Sequence, residues 1–288
     1  MIKARYYERL DNNQVKCLLC PNYCVIDKNC RGVCKARSNK EKDLFSDVYG
    51  KISSLTLDPI EKKPLYRFYP GTTVLSFGSY GCNFSCSFCQ NYEISQTIPQ
   101  DYKKIADYEP CNIAEMAISL KDKNCIGVAY TYNEPITNYE FVLDTARIVN
   151  QYDLKNVIVT NGYINKEPLL ELIPYIDAFN IDLKDFNNNI YRKIGGNLEL
   201  VKQNIDNIYK YCHLEVTTPI IPNENDKQDE IDALAKWLAS VDKSIPLHLT
   251  RFFPRYRYLK YAPTSVSVLN ELAEVARQHL KYVYVGNV

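Results

Sequence analysis

The spacing of the cysteines constrains this chain more than any other feature of its sequence. Eight of its 11 cysteines fall into two tight groups, which are Cys17, Cys20, Cys24, Cys30 and Cys34, and then Cys82, Cys86 and Cys89. Residues 1–40, which contain the first group, have too few periodic apolar residues to form a core without a staple. Thiols this close together in a reducing compartment favour a metal site over a disulfide framework.

The composition excludes several classes of protein. The net charge of the 288 residues is +1, so no overall electrostatic field attracts nucleic acid or an anionic membrane. No apolar run approaches the roughly 18 residues that a membrane span needs, and the first residues, MIKARYYERLDNN, lack the apolar core of a signal peptide. We therefore expect a cytoplasmic protein without membrane partners, and nucleic acid is disfavoured as a ligand.

After the first cysteine group, strand-like and helix-like segments alternate along the chain. Apolar, β-rich runs occupy residues 74–79, 125–131, 156–160, 177–183, 213–221 and 246–252. Stretches with apolar residues at helical spacing lie between them, such as Ile113, Met116, Ala117 and Leu120. Six strand-then-helix units predict an α/β fold with a parallel sheet, as an open or closed βα barrel. We expect a Cys-rich N-terminal segment at 1–57, a linker at 58–73 and the barrel core at 74–288.

Polar residues follow the end of each predicted strand. They lie at 81–89, 131–134, 160–162, 182–184, 217–218 and 251. In parallel βα barrels the loops at the carboxyl ends of the strands carry the functional residues. We therefore expect one site at that mouth of the barrel.

The second cysteine group, in GCNFSCSFCQN, has the spacing C-x3-C-x2-C with Phe88 directly before its last cysteine. Thiolates are the soft ligands that iron–sulfur clusters use. Three of them can hold one [4Fe–4S] cluster and leave its fourth iron open to the amino and carboxylate groups of S-adenosylmethionine (SAM). The alternatives are a zinc knuckle or reduced core thiols. A structural zinc site needs four ligands, however, and no fourth His or Cys lies near Cys89.

The same motif, GCNFSCSFC, resembles the signature of the radical SAM superfamily. The wider chain resembles the radical SAM enzymes of the AmmeMemoRadiSam system, which are related to the pyruvate formate-lyase activating enzymes. The similar segments span nearly the whole chain and are CLLCPNYCVIDKNCRGVCKAR, DPIEKKPLY, GCNFSCSFCQNYEISQ, AYTYNEP, VTNGY, FNIDLKDF, YRKIGG, LEVTTPIIPNEN, HLTRFFP and YVYVGNV. This resemblance implies a partial (βα)6-type radical SAM barrel with a small Cys-rich, metal-binding segment at its N-terminus.

The resemblance also implies roles for individual residues. The ligands of the [4Fe–4S] cluster are Cys82, Cys86 and Cys89. The residues that bind the cofactor are Phe88, Asn133, Glu134, Thr160, Asn161, Asp182, Lys184 and Arg251. Among these, Phe88 packs near the adenine, Glu134 accepts hydrogen bonds from the SAM amino group, and Lys184 lies on the carboxylate side. Val159 stands where activating enzymes often have an Asp that helps to bind a cation, so dependence on a cation stays open.

For the first cysteine group, the resemblance implies a second metal site. Its ligands are Cys17, Cys20, Cys24 and Cys34, and Cys30 is an additional cysteine. Four thiolates form either a closed tetrahedral zinc site or an auxiliary, fully ligated [4Fe–4S] cluster. Because the ligands are the same in both, the sequence leaves the two open, beside a third reading as redox-active or buried free thiols.

The implied activity is that of an oxidoreductase. Reductive cleavage of SAM gives methionine and a 5′-deoxyadenosyl radical, which abstracts hydrogen from a substrate. By resemblance to the enzymes that activate glycyl-radical enzymes, that substrate is a protein or peptide, with a small molecule as the alternative. The expected partners are an electron donor such as flavodoxin or ferredoxin and a Memo-like protein.

Two functions from other classes are alternatives to this enzyme. One is a metal-binding adaptor that no longer cleaves SAM, and the presence of Glu134, Asp182 and Lys184 at strand ends argues against it. The other is a zinc-stapled nucleic-acid-binding protein, which the near-zero net charge disfavours. The similar enzymes usually continue past YVYVGNV with a Cys-rich tail, which we expect to be absent or removed here.

Overall fold

The N-terminal region folds into short antiparallel strands in the computed structural model, which describes residues 1–98 and 106–288. Its strands are β1 (Ile2–Lys3), β2 (Tyr7–Arg9), β3 (Val15–Cys17), β4 (Val25–Ile26), β5 (Arg37–Lys40), β6 (Asp43–Ser46) and β7 (Lys51–Ile52). They form one sheet in the order β1-β6-β5 and another in the order β2-β3-β4. Strands this short have no sequence periodicity long enough to detect.

A large mixed sheet follows. The remaining strands are β8 (Ser54–Pro59), β9 (Thr73–Gly78), β10 (Ala106–Asp107), β11 (Cys125–Tyr130), β12 (Lys155–Thr160), β13 (Ala178–Asp182), β14 (His213–Ile220), β15 (Leu247–Arg251) and β16 (Val283–Gly286). In the described part of the chain, eight of these form one sheet in the order β16-β15-β14-β13-β12-β11-β9-β8, whereas β10 pairs with β7. Neighbours from β9 to β16 are parallel, and β8 is antiparallel to β9. The predicted α/β fold with a parallel sheet is confirmed, and each of the six predicted runs is a strand.

Helices occupy the stretches between the parallel strands. They are α1 (Tyr92–Ser95), α2 (Pro110–Ser119), α3 (Tyr139–Gln151), α4 (Lys166–Leu172), α5 (Asn188–Lys193), α6 (Leu198–Tyr209), α7 (Gln228–Val241) and α8 (Val266–Arg277). Each longer helix buries one apolar stripe, as α7 does with Ile231, Leu234, Ala235 and Leu238. Within the described ranges, no helix is both long and apolar enough to cross a membrane.

The segment from 60 to 72, here called the plug, lies against the interior of the sheet. Its apolar residues Ile60, Leu65 and Phe68 are buried in a cluster with Val74 of β9 and Ala129 of β11. The segment expected as a linker at 58–73 thus packs its apolar residues against the large sheet. The expected boundary between residues 57 and 58 falls inside β8, whose pairing with β9 begins at Ser54.

A buried carboxylate holds the plug in place. Glu215 of β14 accepts hydrogen bonds from the backbone N–H groups of Tyr66 (3.0 Å) and Arg67 (2.7 Å). Its oxygens also lie 3.0 Å from Nε2 of His213 and 2.6 Å from Nε2 of His248. The side chain of Glu215 is fully buried, so these four contacts replace its hydration.

The N-terminal region is joined to the barrel by a second buried carboxylate. Glu140 of α3 pairs with the guanidinium of Arg37 at 2.6 Å, and the two side chains are 3% and 1% exposed. The backbone N–H of Arg5 also donates to Glu140 at 2.7 Å. Removal of either charge would leave the other buried without its counter-ion.

Candidate functional site

The loop after β9 places the second cysteine group at the carboxyl edge of the parallel strands. Cys82, Cys86 and Cys89 line one cavity of about 370 Å³. This volume lies within the roughly 300–1,000 Å³ range of small-molecule and cofactor sites. Residues at the ends of the other strands line the same cavity, and they include Thr131, Glu134, Thr160, Asn161, Asp182, Lys184, Thr217, Thr250 and Arg251. The structure thus brings the predicted strand-end residues together at one mouth.

The thiols of this loop lie in a poorly hydrated environment. Burial raises the pKa of Cys82 well above its ordinary value and that of Cys86 to about 12, although Lys184 lowers the latter. Thiols in such surroundings become ligands only when a cation compensates the negative charge of the thiolates. Within residues 1–98 and 106–288, no three His, Cys, Asp or Glu side chains are already assembled around one point as a metal site.

The residue before the loop brings it against the N-terminal region. Gly81 has φ of +83°, and a Cβ at this position would lie 2.3 Å from the carbonyl oxygen of Cys34. Both the backbone conformation and the close approach require glycine here. The two cysteine groups therefore belong to segments in direct contact.

Glu134 lies at the turn after β11 and connects it to β12. Its carboxylate accepts hydrogen bonds from the backbone N–H of Asn161 (2.8 Å), the hydroxyl of Thr160 (2.6 Å) and the backbone N–H of Ile136 (3.1 Å). Burial raises the pKa of Glu134 to about 7, even though these hydrogen bonds lower it. Oε2 accepts only one of the three bonds, so it keeps capacity for a donor in the cavity.

Asp182 and Lys184 form an ion pair at the end of β13. The Lys184 ammonium lies 2.8 Å from Oδ2 of Asp182. Burial lowers the pKa of Lys184, but Asp182 and Cys86 outweigh this effect, and the net pKa lies above the ordinary value. The cavity therefore contains a stable positive charge close to the thiols.

Asn161 connects the end of β12 with the cysteine loop. Its side-chain amide donates to Oδ1 of Asn83 at 2.8 Å and lies 3.8 Å from the sulfur of Cys82. Asn83 in turn donates to the carbonyl of Tyr163 at 2.8 Å. These contacts fix the position of Cys82 relative to β12.

The other three predicted residues have distinct surroundings. Phe88 lines both the large cavity and an adjoining cavity of about 90 Å³. Asn133 accepts from the N–H of Ser79 and donates to the carbonyl of Gly81, so its amide holds the two strand ends together. Arg251 donates its Nε–H to the carbonyl of Thr264 at 2.8 Å while it lines the cavity.

A buried charged group that the sequence did not reveal also lines the cavity. Lys63, in the plug, is 2% exposed and lies 2.8 Å from Asp58, which also accepts a hydrogen bond from the hydroxyl of Tyr132 at 2.5 Å and lies 3.5 Å from Lys62. Tyr132 itself has a left-handed backbone with φ of +71°. Such strained conformations are concentrated at functional sites. The pair of lysines in DPIEKKPLY, within the segment expected as a linker, is the signal in the sequence.

Four cysteines of the first group line a second, much smaller cavity of about 20 Å³. These residues, here called the N-terminal thiols, are Cys17, Cys20, Cys24 and Cys34. Cys30 is exposed on the surface and does not line this cavity. The structure thus separates the four predicted ligands from the additional cysteine.

Comparisons with known proteins agree with this geometry. A family model described as the radical SAM superfamily matches residues 77–238. An uncharacterized protein of Methanocaldococcus jannaschii is 41% identical over 298 residues, which cover 100% of this chain and 86% of the relative. The 4-hydroxyphenylacetate decarboxylase activating enzyme of Clostridium scatologenes is 23% identical over 222 residues, with 70% of this chain and 68% of that enzyme covered.

The fold is also similar to that of a solved structure. A domain of the pyruvate-formate lyase-activating enzyme from Bacteroides vulgatus superimposes with a TM-score of 0.50 at 20% identity, and the match covers 56% of this chain and 98% of that domain. The family match spans more than half of the chain and includes all three cysteines of the loop after β9. The chain belongs to the radical SAM superfamily.

Proposed function

We propose that the chain is a radical SAM enzyme that binds a [4Fe–4S] cluster through Cys82, Cys86 and Cys89. The observation that carries the proposal is the lining of the 370 Å³ cavity. Among the described residues it contains these three thiols, no fourth cysteine and no histidine, beside two carboxylates and three lysines. Three soft ligands suit an iron–sulfur cluster with one open iron and do not complete a structural zinc site.

The residues around the thiols fit the polar groups of SAM. Glu134 is the acceptor for the amino group, since one of its oxygens has free capacity. Lys184 supplies positive charge for the carboxylate, and the position of Phe88 between the two cavities supports a contact with the adenine. We assign Asn133, Thr160, Asn161 and Asp182 to the support of these groups, and Arg251 to the far wall of the cavity.

When bound, the cluster and SAM supply a reductive cleavage that yields methionine and a 5′-deoxyadenosyl radical for hydrogen abstraction. The chain itself contributes orientation and exclusion of water. The plug closes the interior of the sheet behind the cavity, and the Asn83–Asn161 hydrogen bond holds the cysteine loop. Rigid support of this kind holds the reacting atoms in a fixed relative position.

We propose that the substrate from which hydrogen is abstracted is a protein or peptide, as for an activating enzyme. Residues 252–262 lie beside the cysteine loop, where the N–H of Arg257 donates to the carbonyl of Ser87 at 3.0 Å. This segment has no acidic residue and exposes Phe253, Arg255, Arg257, Leu259 and Lys260. Such an aromatic and basic surface suits a protein partner with acidic groups.

The partners and the subgroup follow as part of the same proposal. The reaction needs a one-electron donor, such as flavodoxin or ferredoxin. The resemblance to the AmmeMemoRadiSam system adds a Memo-like protein as a partner. A cytoplasmic location is consistent with oxygen-sensitive thiolate chemistry.

The direct test is the cleavage of SAM. The protein is reconstituted with iron and sulfide without air, reduced with dithionite and mixed with SAM, and 5′-deoxyadenosine is measured by chromatography. We expect 5′-deoxyadenosine only in the presence of the reductant and the cluster. Bound iron without any cleavage of SAM would instead favour the metal-binding adaptor.

Substitution of Glu134 by Gln is expected to weaken the binding of SAM by roughly 10–100-fold. A hydrogen bond to a charged group contributes about 1.5–3 kcal/mol, and about 1.4 kcal/mol corresponds to a factor of ten. Equilibrium dialysis of the reconstituted protein measures the dissociation constant. The matched control ligand is 5′-methylthioadenosine, which lacks the amino acid part of SAM and should bind both proteins equally. Equal losses for both ligands would show that Glu134 only supports the strand ends.

The proposal also includes a second metal site, which the N-terminal thiols form. The guanidinium Nε of Arg37, on the wall of the same cavity, is buried and has no hydrogen-bond partner. A buried donor without a partner is costly, and an anionic metal–thiolate centre would provide its acceptor. The donor set therefore fits either zinc or an auxiliary [4Fe–4S] cluster.

A further inference from the structure

The basic side chains around the large cavity outnumber the carboxylates. The basic lining residues are Lys62, Lys63, Lys184 and Arg251, and the acidic ones are Glu134 and Asp182. Outside the lining, Asp58 adds a third carboxylate, which pairs with Lys63 at 2.8 Å and lies 3.5 Å from Lys62. Four formal positive charges thus face three negative ones, and the cavity keeps one positive charge in excess.

Arg251 is the basic residue of the cavity that has no acidic partner among residues 1–98 and 106–288. Its Nε–H donates to the carbonyl of Thr264 at 2.8 Å, and its guanidinium lies over the ring of Phe253, 5.0 Å from the centroid. Within the same ranges, its two terminal nitrogens have no hydrogen-bond acceptor, and the residue is half-buried. A guanidinium that is fixed at one edge and free at the other can bind a carboxylate through two parallel hydrogen bonds.

Arg251 also lies on a different part of the sheet from the residues assigned to SAM. The cysteine loop, Glu134 and Lys184 follow β9, β11 and β13, whereas Arg251 ends β15. Neighbouring strands are roughly 4.8 Å apart, so β15 lies roughly 10 Å across the sheet from β13. Thr250 of β15 and Asn287 after β16 line the cavity on this side. Since Glu134 and Lys184 are assigned to the amino and carboxylate groups of SAM, Arg251 is left for the second reactant.

We propose that Arg251 binds a carboxylate of the substrate and thereby holds the C–H bond to be cleaved inside the cavity. This inference rests on the proposed function and names the substrate class, an acid that is either the side chain of a peptide Asp or Glu or a small carboxylic acid. An oxidised [4Fe–4S] cluster with three thiolates carries one negative charge and SAM carries one positive charge, so together they leave the excess charge of the cavity unchanged. The basic surface at residues 252–262 starts at the next residue, which favours an acidic peptide.

The test compares an acidic peptide with its uncharged amide counterpart. The reconstituted protein is saturated with SAM in the absence of reductant, and saturation-transfer difference NMR measures the dissociation constants of acetyl-Gly-Glu-Gly-amide and acetyl-Gly-Gln-Gly-amide. We expect the Glu peptide to bind roughly 10–100-fold more tightly, as for a hydrogen-bonded charge pair. Arg251→Gln should abolish this preference. The control is Arg192→Gln, at an exposed arginine of α5 that does not line the cavity, and it should retain the preference.

Three results would overturn the carboxylate subsite. They are equal affinities of the two peptides for the wild type, an equal loss for both peptides in Arg251→Gln, and weaker binding of SAM by that variant with an unchanged preference for the Glu peptide. Glutarate and glutaramide form a second arm, and a larger preference for the acid in this pair than in the peptide pair would support the subsite with a small acid as its ligand. Cleavage of SAM by the wild type is measured separately. Its absence would refute the proposed function, whereas a missing preference would refute only the subsite.

Discussion

The Cys86→Ala variant is expected to lose all cleavage of SAM, with 5′-deoxyadenosine at the background level of the reaction without reductant. Cys86 is buried in the middle of the cysteine loop, between Cys82 and Cys89 in the cavity lining. With only two of the three thiols, a second iron would also lack a protein ligand, and the cluster would not be held stably. The measurement is the chromatographic yield of 5′-deoxyadenosine after anaerobic reconstitution.

Cys125→Ala is the matched control for this experiment. Cys125 is also a buried cysteine, but it starts β11 at the opposite end from the cavity, and its thiol contacts the carbonyl of Gly127. Its removal deletes one small apolar group and no proposed ligand. Retained activity in Cys86→Ala, or an equal loss in Cys125→Ala, would contradict the assignment of the loop as the ligand set.

The second large effect concerns the free energy of unfolding. We expect Glu215→Ala to lower it by about 3–5 kcal/mol, because the plug loses its anchor. The backbone N–H groups of Tyr66 and Arg67 and the ring nitrogens of two histidines would lose their acceptor inside the sheet. Denaturant unfolding followed by circular dichroism measures the change. Glu199→Ala is the control, since the side chain of Glu199 is exposed and forms a surface ion pair with Lys202, and its loss should cost less than about 1 kcal/mol.

This contribution of Glu215 depends on pH with a definite sign. Although burial raises the pKa of Glu215, its bonds to His213 and His248 outweigh burial and lower the pKa from 4.5 to about 2. A depressed folded-state pKa gives stability that is complete above the unfolded value of 4.5 and is lost as the pH falls toward 2. At about 1.4 kcal/mol per pKa unit, the pH-dependent contribution of Glu215 to the free energy of unfolding is roughly 3 kcal/mol. The difference in the free energy of unfolding between the wild type and Glu215→Ala should therefore shrink on acidification. A difference that stays constant with pH would show that these partners do not stabilise the ionised carboxylate.

Much of the fold was predictable because its strands are apolar and regularly spaced. The runs at 125–131 and 156–160 coincide with β11 and β12 to within a residue. The edge strand β8 is harder to detect, since its apolar face consists of only Leu55 and Leu57, which are partly buried, and the strand ends in Asp58 and a proline. The prolines and charges of the plug are typical of a connecting loop, so its burial is not evident from the sequence, because it depends on Glu215, about 150 residues later.

The residues of the site that lie at the carboxyl ends of strands could be predicted from the sequence. The sequence placed Glu134, Asp182 and Lys184 at the carboxyl ends of strands, and the parallel register brings them to one cavity. Lys63 could not be found in this way. A lysine is usually solvated, and its burial here requires Asp58 of β8 and the ring of Tyr132 after β11, which both approach through their shared neighbour β9.

The most direct test of the account is electron paramagnetic resonance of the reduced, reconstituted protein with and without SAM. The central claim is that one iron of the cluster on Cys82, Cys86 and Cys89 has no protein ligand and is open to SAM. We predict the signal of a reduced [4Fe–4S] cluster whose g-values shift when SAM is added. A signal that SAM leaves unchanged, or a tetrahedral zinc ion in place of iron at this loop, would contradict the claim.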